Sequence, residues 1–137
     1  MDKVKVIETI NQLGLDKNEF YVLGSSALVL RNILDDSNDI DLAISPKLYK
    51  KLENEGVLTY LGTNHNSKWY RLNDEVECCV EELDANKVEY TDPFNLINLK
   101  YYYDYFIKDS TREKDLKKKE ILEEILYKWF ITLKVVL

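Results

Sequence analysis

The sequence contains few of the residues that interrupt regular structure. Its 137 residues include two prolines and four glycines, so most of the chain is expected to form helices and strands. No apolar run approaches the roughly 18 residues of a membrane-spanning helix. The first residues, MDKVKVIETINQ, lack the apolar core of a signal peptide. These absences predict a cytoplasmic protein that does not enter the membrane.

Residues that bind zinc or form disulfides are also scarce. The two cysteines, Cys78 and Cys79, are adjacent, and the one histidine, His65, lies in a polar segment. Zinc sites need several Cys or His ligands at suitable spacing, and a disulfide framework needs more cysteines. We interpret the cysteines as small strand residues that stay reduced, and His65 as a surface residue.

The chain has no excess of positive charge. Its net charge of −6 disfavours a broad, nonspecific nucleic-acid binder, because such proteins are usually basic. One local basic cluster fits either a solvated helix face or a contact with phosphate groups, including those of a tRNA. Its members are Lys108, Arg112, Lys114, Lys117, Lys118 and Lys119. The nearby Tyr101–Tyr103 run fits either helix packing or stacking on a nucleobase.

The spacing of apolar residues and turn signals predicts a single α/β (or α+β) domain, residues 1–137, with a mixed sheet flanked by helices. Residues 1–92 form its sheet-containing core and residues 93–137 its part with two C-terminal helices. The predicted helices are 3–13, 27–34, 46–55, one that starts at Asp92-Pro93 and one that starts at Ser110 or Thr111. The predicted strands are 20–23, 39–44, 57–61, 68–72 and 75–82, with turns at GTNHNS and Asn73-Asp74.

The last predicted helix has an apolar stripe at three-to-four spacing. The stripe comprises Leu116, Ile121, Ile125, Trp129, Phe130, Leu133 and Val136. Such a stripe usually belongs to the core. The final residues, ITLKVVL, are apolar enough that a homodimer contact through this helix remains an alternative.

The segment from Phe20 to Ser45, FYVLGSSALVLRNILDDSNDIDLAIS, has the most informative pattern. A strand leads into Gly24, where the absence of a Cβ lets a phosphate approach the backbone. Ser25 and Ser26 then start a helix with oriented N–H donors. On the next strand, Asp39 and Asp41 share one face. Hard carboxylate oxygens at this spacing suit Mg²⁺ or Mn²⁺.

This pattern, GSSALVLRN…DIDLAIS, resembles the signature of the DNA polymerase β-like nucleotidyltransferase superfamily. The motif Gly-Ser-Ser-Ala-Leu is most similar to the sequences of the branch that includes AbiEii-type toxins and related small bacterial and phage proteins. The resemblance implies a nucleotidyltransferase-like fold, in which Gly24 and Ser25 hold the triphosphate of a nucleoside triphosphate (NTP) such as ATP. It also implies that Asp39 and Asp41 bind the metal.

Two later signals of that branch have counterparts here. Leu99-Lys100 resembles a lysine in an apolar helical context, and Lys114-Asp115 resembles a Lys-Asp pair that opens the next helix. The resemblance implies that Lys100 and Lys114 neutralise phosphate charge during transfer. It implies that Asp115 orients Lys100 or the nucleotide. Solvated helix charges are the alternative for all three residues.

The superfamily also uses a third carboxylate on a neighbouring strand, and no aspartate fits that position. In the predicted strand VECCVE, Glu77 or Glu81 is available, and Glu77 matches the apolar-then-acid context better. Glu77 is therefore the expected third catalytic carboxylate, which the resemblance implies is a metal ligand or the base for the attacking hydroxyl. Glu81 at the strand end also fits plain surface charge.

Two functions follow from these observations. The first is metal-dependent transfer of a nucleoside monophosphate from NTP to a hydroxyl of RNA, such as a tRNA end, of a protein or of a small molecule. The second is a module of the same fold that has lost its chemistry and binds nucleotide, nucleic acid or a partner protein. The missing third aspartate favours the second function.

Overall fold

The computed structural model describes the backbone of residues 1–136 and the side chains of residues 1–129 and 131. Within these residues the chain forms seven strands, five α-helices and a short 3-10 helix (Lys17–Glu19). The helices are α1 (Lys3–Gln12), α2 (Gly24–Leu30), α3 (Pro46–Asn54), α4 (Leu99–Tyr102), which continues into a π-helical turn (Tyr103–Ile107), and α5 (Glu113–Val136). The strands are β1 (Phe20–Leu23), β2 (Ile40–Ile44), β3 (Thr59–Asn64), β4 (Ser67–Arg71), β5 (Val76–Val80), β6 (Val88–Glu89) and β7 (Leu96–Ile97).

All seven strands belong to one mixed sheet, so the predicted fold class is confirmed. The strand order is β3-β4-β5-β2-β1-β7-β6. The pairs β2–β5 and β1–β7 are parallel, and the other neighbours are antiparallel. None of the helices in the described residues is both long enough and apolar enough to cross a membrane.

The two faces of the sheet differ in chemistry. On one face Leu42, Cys78 and Tyr70 occupy matching positions on β2, β5 and β4. Helix α3 covers this face, because the ring centroid of Tyr49 lies 5.2 Å from that of Tyr70. Alternation places Asp41 and its neighbours in register on the opposite face. Ile40, Leu42 and Ile44 are fully buried on the α3 side of β2, so the carboxylate of Asp41 points to the opposite face.

The chain divides into two compact units, residues 1–97 and 98–137. The first contains the whole sheet with α1, α2 and α3, and it extends to Ile97 because β7 pairs with β1. The second contains α4, the π-helical turn and α5. Within it α5 packs on the π-helical turn, and the Tyr103 hydroxyl donates a 2.7 Å hydrogen bond to Glu123.

The prediction of a helix from Asp92-Pro93 is wrong. This peptide bond is cis, and the chain then forms strand β7 at Leu96–Ile97, with Leu96 paired to Val22. The next helix starts at Leu99, where the Asn98 side chain caps it by accepting from the N–H of Tyr101 at 3.0 Å. Pairing with a buried strand outweighed the local cap-then-proline signal.

The predicted turn GTNHNS is also too long. Strand β3 continues to Asn64, and the hairpin turn is His65-Asn66, with φ of 50° and 62°. Two positive φ values are typical of a type I′ turn, whose twist matches that of the strands. Histidine is an uncommon residue there, so the pattern did not reveal how short the turn is.

The predicted core stripe of α5 is wrong at two positions, whereas Ile121 and Ile125 are half-buried. Leu116 and Trp129 are 53% and 59% exposed, whereas Leu122 and Asp115 are buried. The buried face thus begins with a polar residue, which hydrophobic periodicity cannot identify. The side chains of Phe130, Leu133 and Val136 lie outside the described residues, as does most of the segment predicted to form a homodimer.

The adjacent cysteines Cys78 and Cys79 should react very slowly with thiol reagents in the folded protein. Burial raises the pKa of the Cys78 thiol from 9.0 to about 12, with a smaller contribution from the charge of Glu77. Burial also raises the pKa of Cys79. At pH 8 a shift of this size lowers the thiolate fraction by about 10³-fold, so Ellman's reagent should label unfolded chains rapidly and native protein very slowly.

The same shift sets a pH dependence of stability. The folded state retains the Cys78 proton where the unfolded chain releases it, so the free energy of unfolding should fall as pH rises above 9. Urea unfolding between pH 8 and 10 would measure the slope, and Cys78→Ala should reduce it. The prediction would be contradicted if Cys78→Ala had the same dependence of unfolding free energy on pH as the native sequence. Rapid labelling of the native protein by Ellman's reagent would also contradict it.

Candidate functional site

Three carboxylates converge on the sheet face opposite α3. Asp39, Asp41 and Glu77 each place an oxygen within 4.8 Å of the others. Asp39 directly precedes β2, and the parallel register of β2 and β5 sets Asp41 beside Glu77. Asp39 is exposed, and the other two are half-buried. We call these residues the acidic cluster.

The Gly-Ser-Ser turn directly adjoins the acidic cluster. Leu23, the last residue of β1, pairs with Asp41, and Gly24 follows with φ of +68°. A Cβ on Gly24 would lie 2.8 Å from Oδ2 of Asp41, which is too close. Gly24 therefore meets two requirements at once, a left-handed backbone and space for a carboxylate.

The two serines after Gly24 have different environments. The Ser26 hydroxyl is buried and donates a 3.0 Å hydrogen bond to the carbonyl of Leu23, which fixes the turn. Ser25 is partly exposed. Of the two predicted nucleotide-binding serines, Ser25 thus has the more accessible side chain. Ser26 could contact a phosphate through its backbone N–H.

The acidic cluster fits the predicted metal. All three donors are carboxylates, the hard ligands that Mg²⁺ and Mn²⁺ prefer. Three negative charges this close repel one another, and a divalent cation would offset that repulsion. The space that Gly24 leaves beside Asp41 keeps this carboxylate accessible.

The structure distinguishes between the two candidates for the third acid. Glu81 lies outside the acidic cluster: it accepts a hydrogen bond from Ser67 and forms a 3.1 Å ion pair with Lys87. Glu77 belongs to the cluster because it is the register partner of Asp41. Strand register, which the alternating sequence left open, decides this point.

Sequence reasoning missed Arg71, the cation beside the acidic cluster. Its Nη2 lies 3.4 Å from Oε1 of Glu77, and the two residues are cross-strand partners on β4 and β5. The predicted turn at Asn73-Asp74 could have identified Arg71, because a short hairpin there places Arg71 opposite a residue near Glu77.

Lys100 lies in the second unit, where its ammonium group forms a 2.8 Å ion pair with Asp104 one helical turn later. It also lines a cavity of about 240 Å³ with Tyr103, Glu123, Leu126 and Trp129. Its predicted catalytic and nucleotide-binding roles remain predictions.

Lys114 and Asp115 have contrasting positions at the start of α5. Lys114 is exposed, whereas Asp115 is buried and accepts a 2.6 Å hydrogen bond from Ser110. Arg112 and Lys118 lie 3.4 and 3.7 Å from the Asp115 carboxylate. Sequence reasoning counted Lys118 only as part of the basic cluster, although its side chain is just 12% exposed.

A scan against protein-family models finds no match, and a search of curated protein sequences finds none either. Among solved structures, the chain is similar to the aminoglycoside nucleotidyltransferase ANT(2")-Ia, solved in complex with adenylyl-2"-tobramycin. The TM-score is 0.55 at 14% identity, over 89% of this chain and 86% of that one. At this identity the match shows the nucleotidyltransferase-like fold.

Proposed function

We propose that this protein is a metal-dependent nucleotidyltransferase that transfers a nucleoside monophosphate from NTP to an acceptor hydroxyl. The observation that carries the proposal is the acidic cluster, whose three carboxylates converge beside Gly24. A fold shared with a nucleotidyltransferase supports it. Mg²⁺ or Mn²⁺ is the proposed cofactor.

Each residue of the site has a distinct task in this reaction. Gly24 admits the triphosphate to the backbone. The N–H groups of Ser25 and Ser26 and the hydroxyl of Ser25 are proposed to hold phosphate oxygens. Asp39, Asp41 and Glu77 would hold the metal, and a metal bound there would supply positive charge beside the phosphates and favour deprotonation of the attacking hydroxyl. The hydroxyl passes its proton to a carboxylate of the acidic cluster, and its oxygen bonds to the α-phosphorus. The bond from that phosphorus to the bridging oxygen breaks, and pyrophosphate leaves.

The resemblance to the superfamily is the support for proposing roles for three residues of the second unit. Lys100 and Lys114 are proposed to neutralise charge on the triphosphate. Asp115 is proposed to orient Lys100 or the nucleotide.

The acceptor is proposed to be a small molecule, an RNA such as a tRNA end, or a protein side chain. The complex of ANT(2")-Ia with an adenylylated aminoglycoside supports the small-molecule class. The basic cluster at the start of α5 supports RNA. Resemblance to AbiEii-type proteins supports a role as a toxin in a toxin-antitoxin pair or in a phage, acting in the cytoplasm.

The alternative is a catalytically weakened module that binds nucleotide without turnover. The pairing of Glu77 with Arg71 favours it, because the third acid is then partly engaged by another cation. Such a module would be stabilised by NTP in a concentration-dependent way and would label no acceptor.

Labelling with radioactive nucleotides tests the enzyme directly. The protein would be incubated with each of the four α-labelled NTPs, Mg²⁺ and either total RNA, cell lysate or aminoglycosides. Transfer to one acceptor class is expected with the native sequence and with Asp74→Asn, an exposed carboxylate outside the cluster. An Asp39→Ala/Asp41→Ala double variant should label nothing. Equal labelling by native and double-variant proteins would refute the proposal.

A further inference from the structure

Arg71 is the cation that lies beside the third carboxylate of the acidic cluster. Strand register sets Asp41, Glu77 and Arg71 in one row across β2, β5 and β4. Residues in register point to the same face of a sheet, so the guanidinium and the carboxylates share one surface.

The ion pair between Arg71 and Glu77 is weak in its geometry. The distance from Nη2 to Oε1 is 3.4 Å, longer than the 2.7–2.9 Å of a strong charge-assisted hydrogen bond. The two side chains are 51% and 32% exposed, so water screens their attraction. A pair of this kind is readily replaced by a partner with higher charge.

A divalent cation at the acidic cluster would be such a partner. The three carboxylates contribute three negative charges, and Arg71 offsets one of them at Glu77. Glu77 can share its oxygens with both cations only against the repulsion between the guanidinium and the metal. Metal binding and the Arg71 ion pair therefore oppose each other.

We propose that Arg71 is a positioning residue for the third metal ligand, whose guanidinium pairs with Glu77 in the metal-free protein and is displaced when a divalent cation binds. The proposal rests on the proposed metal site. It assigns Arg71 the task of neutralising Glu77 while the metal is absent and of setting the metal affinity.

Strand order places Arg71 away from the phosphate-binding turn. Gly24 follows β1 on one side of β2, whereas β5 and β4 lie on the other side. Glu77 and Arg71 thus form the end of the row that is farthest from Gly24.

Mn²⁺ binding, measured by electron paramagnetic resonance without nucleotide, tests the proposal. The proteins are the native sequence, Arg71→Gln, Glu77→Gln and the double variant. Arg71→Gln should tighten Mn²⁺ binding about two- to fivefold, the range that an exposed ion pair accounts for. Glu77→Gln should weaken binding, and adding Arg71→Gln to it should then change nothing.

Lys68→Gln is the matched control, because Lys68 is an exposed cation of the same strand on the opposite face. It should leave Mn²⁺ affinity unchanged. Unchanged or weaker binding by Arg71→Gln would overturn the proposal, as would equal tightening in the Glu77→Gln background. A native protein that binds no Mn²⁺, or binds it as well after Asp41→Asn, would overturn the metal site itself.

Discussion

Asp41→Asn should abolish nucleotidyl transfer while leaving the fold intact. Asp41 is the central member of the acidic cluster, in register with Glu77 and in contact distance of the Gly24 turn. Asparagine keeps the shape of the side chain and removes its charge, so the substitution should lower the metal affinity and leave the fold unchanged. We expect at least about a 10³-fold loss of transfer rate, since a bound metal contributes several kcal/mol to transition-state stabilisation.

Three measurements separate this effect from misfolding. Transfer would be assayed with the labelled nucleotide identified for the native protein, Mn²⁺ affinity by electron paramagnetic resonance, and stability by urea unfolding. Asp74→Asn removes the same charge from an exposed turn and should leave all three nearly unchanged. If Asp41→Asn retained full activity and Mn²⁺ affinity, Asp41 would not be a metal ligand.

Gly24→Ala should impair both stability and the metal site. Its φ of +68° costs a residue with a Cβ about 1–2 kcal/mol. The new Cβ would also lie 2.8 Å from Oδ2 of Asp41, so either the start of α2 or the Asp41 carboxylate must move. We expect lower Mn²⁺ affinity, lower NTP affinity and loss of most transfer activity.

Gly14→Ala is a control that isolates the second effect. Gly14 has nearly the same φ, +65°, but a Cβ there would meet nothing within 4 Å. Both variants should therefore lose about 1–2 kcal/mol of stability to the strained backbone in urea unfolding, and Gly24→Ala should lose more because its Cβ displaces Asp41 or the start of α2. Only Gly24→Ala should lose Mn²⁺ affinity. Equal Mn²⁺ affinity in the two variants would show that the space beside Asp41 is not needed.

Local patterns predicted the centre of the sheet well. Strong alternation identified β2, and the apolar run before Gly24 identified β1, because buried strands need apolar residues at fixed spacing. The hypothesis that Gly24 and the two aspartates act together rested on sequence pattern. The structure adds the physical link, which is the direct approach of Gly24 to the Asp41 carboxylate.

Other elements could not be predicted because distant residues decide them. The segment after Asp92 has the local signal of a helix start, yet Leu96 pairs with Val22, more than 70 residues earlier. The buried face of α5 begins at Asp115, whose burial depends on its partners Ser110 and Lys118. No scale of residue hydrophobicity places an aspartate in a buried position.

The sequence by itself determined the types of residue in the candidate site and the strand–turn–helix that carries them. A glycine at the turn, two carboxylates at positions i and i+2 and two candidate acids on another strand can all be identified in the sequence. Only the tertiary structure decided which acid completes the cluster and that Arg71 stands beside it. The physical reason is strand register: a shift of one residue would move Glu77 and Arg71 to the other face, and only long-range pairing fixes that register.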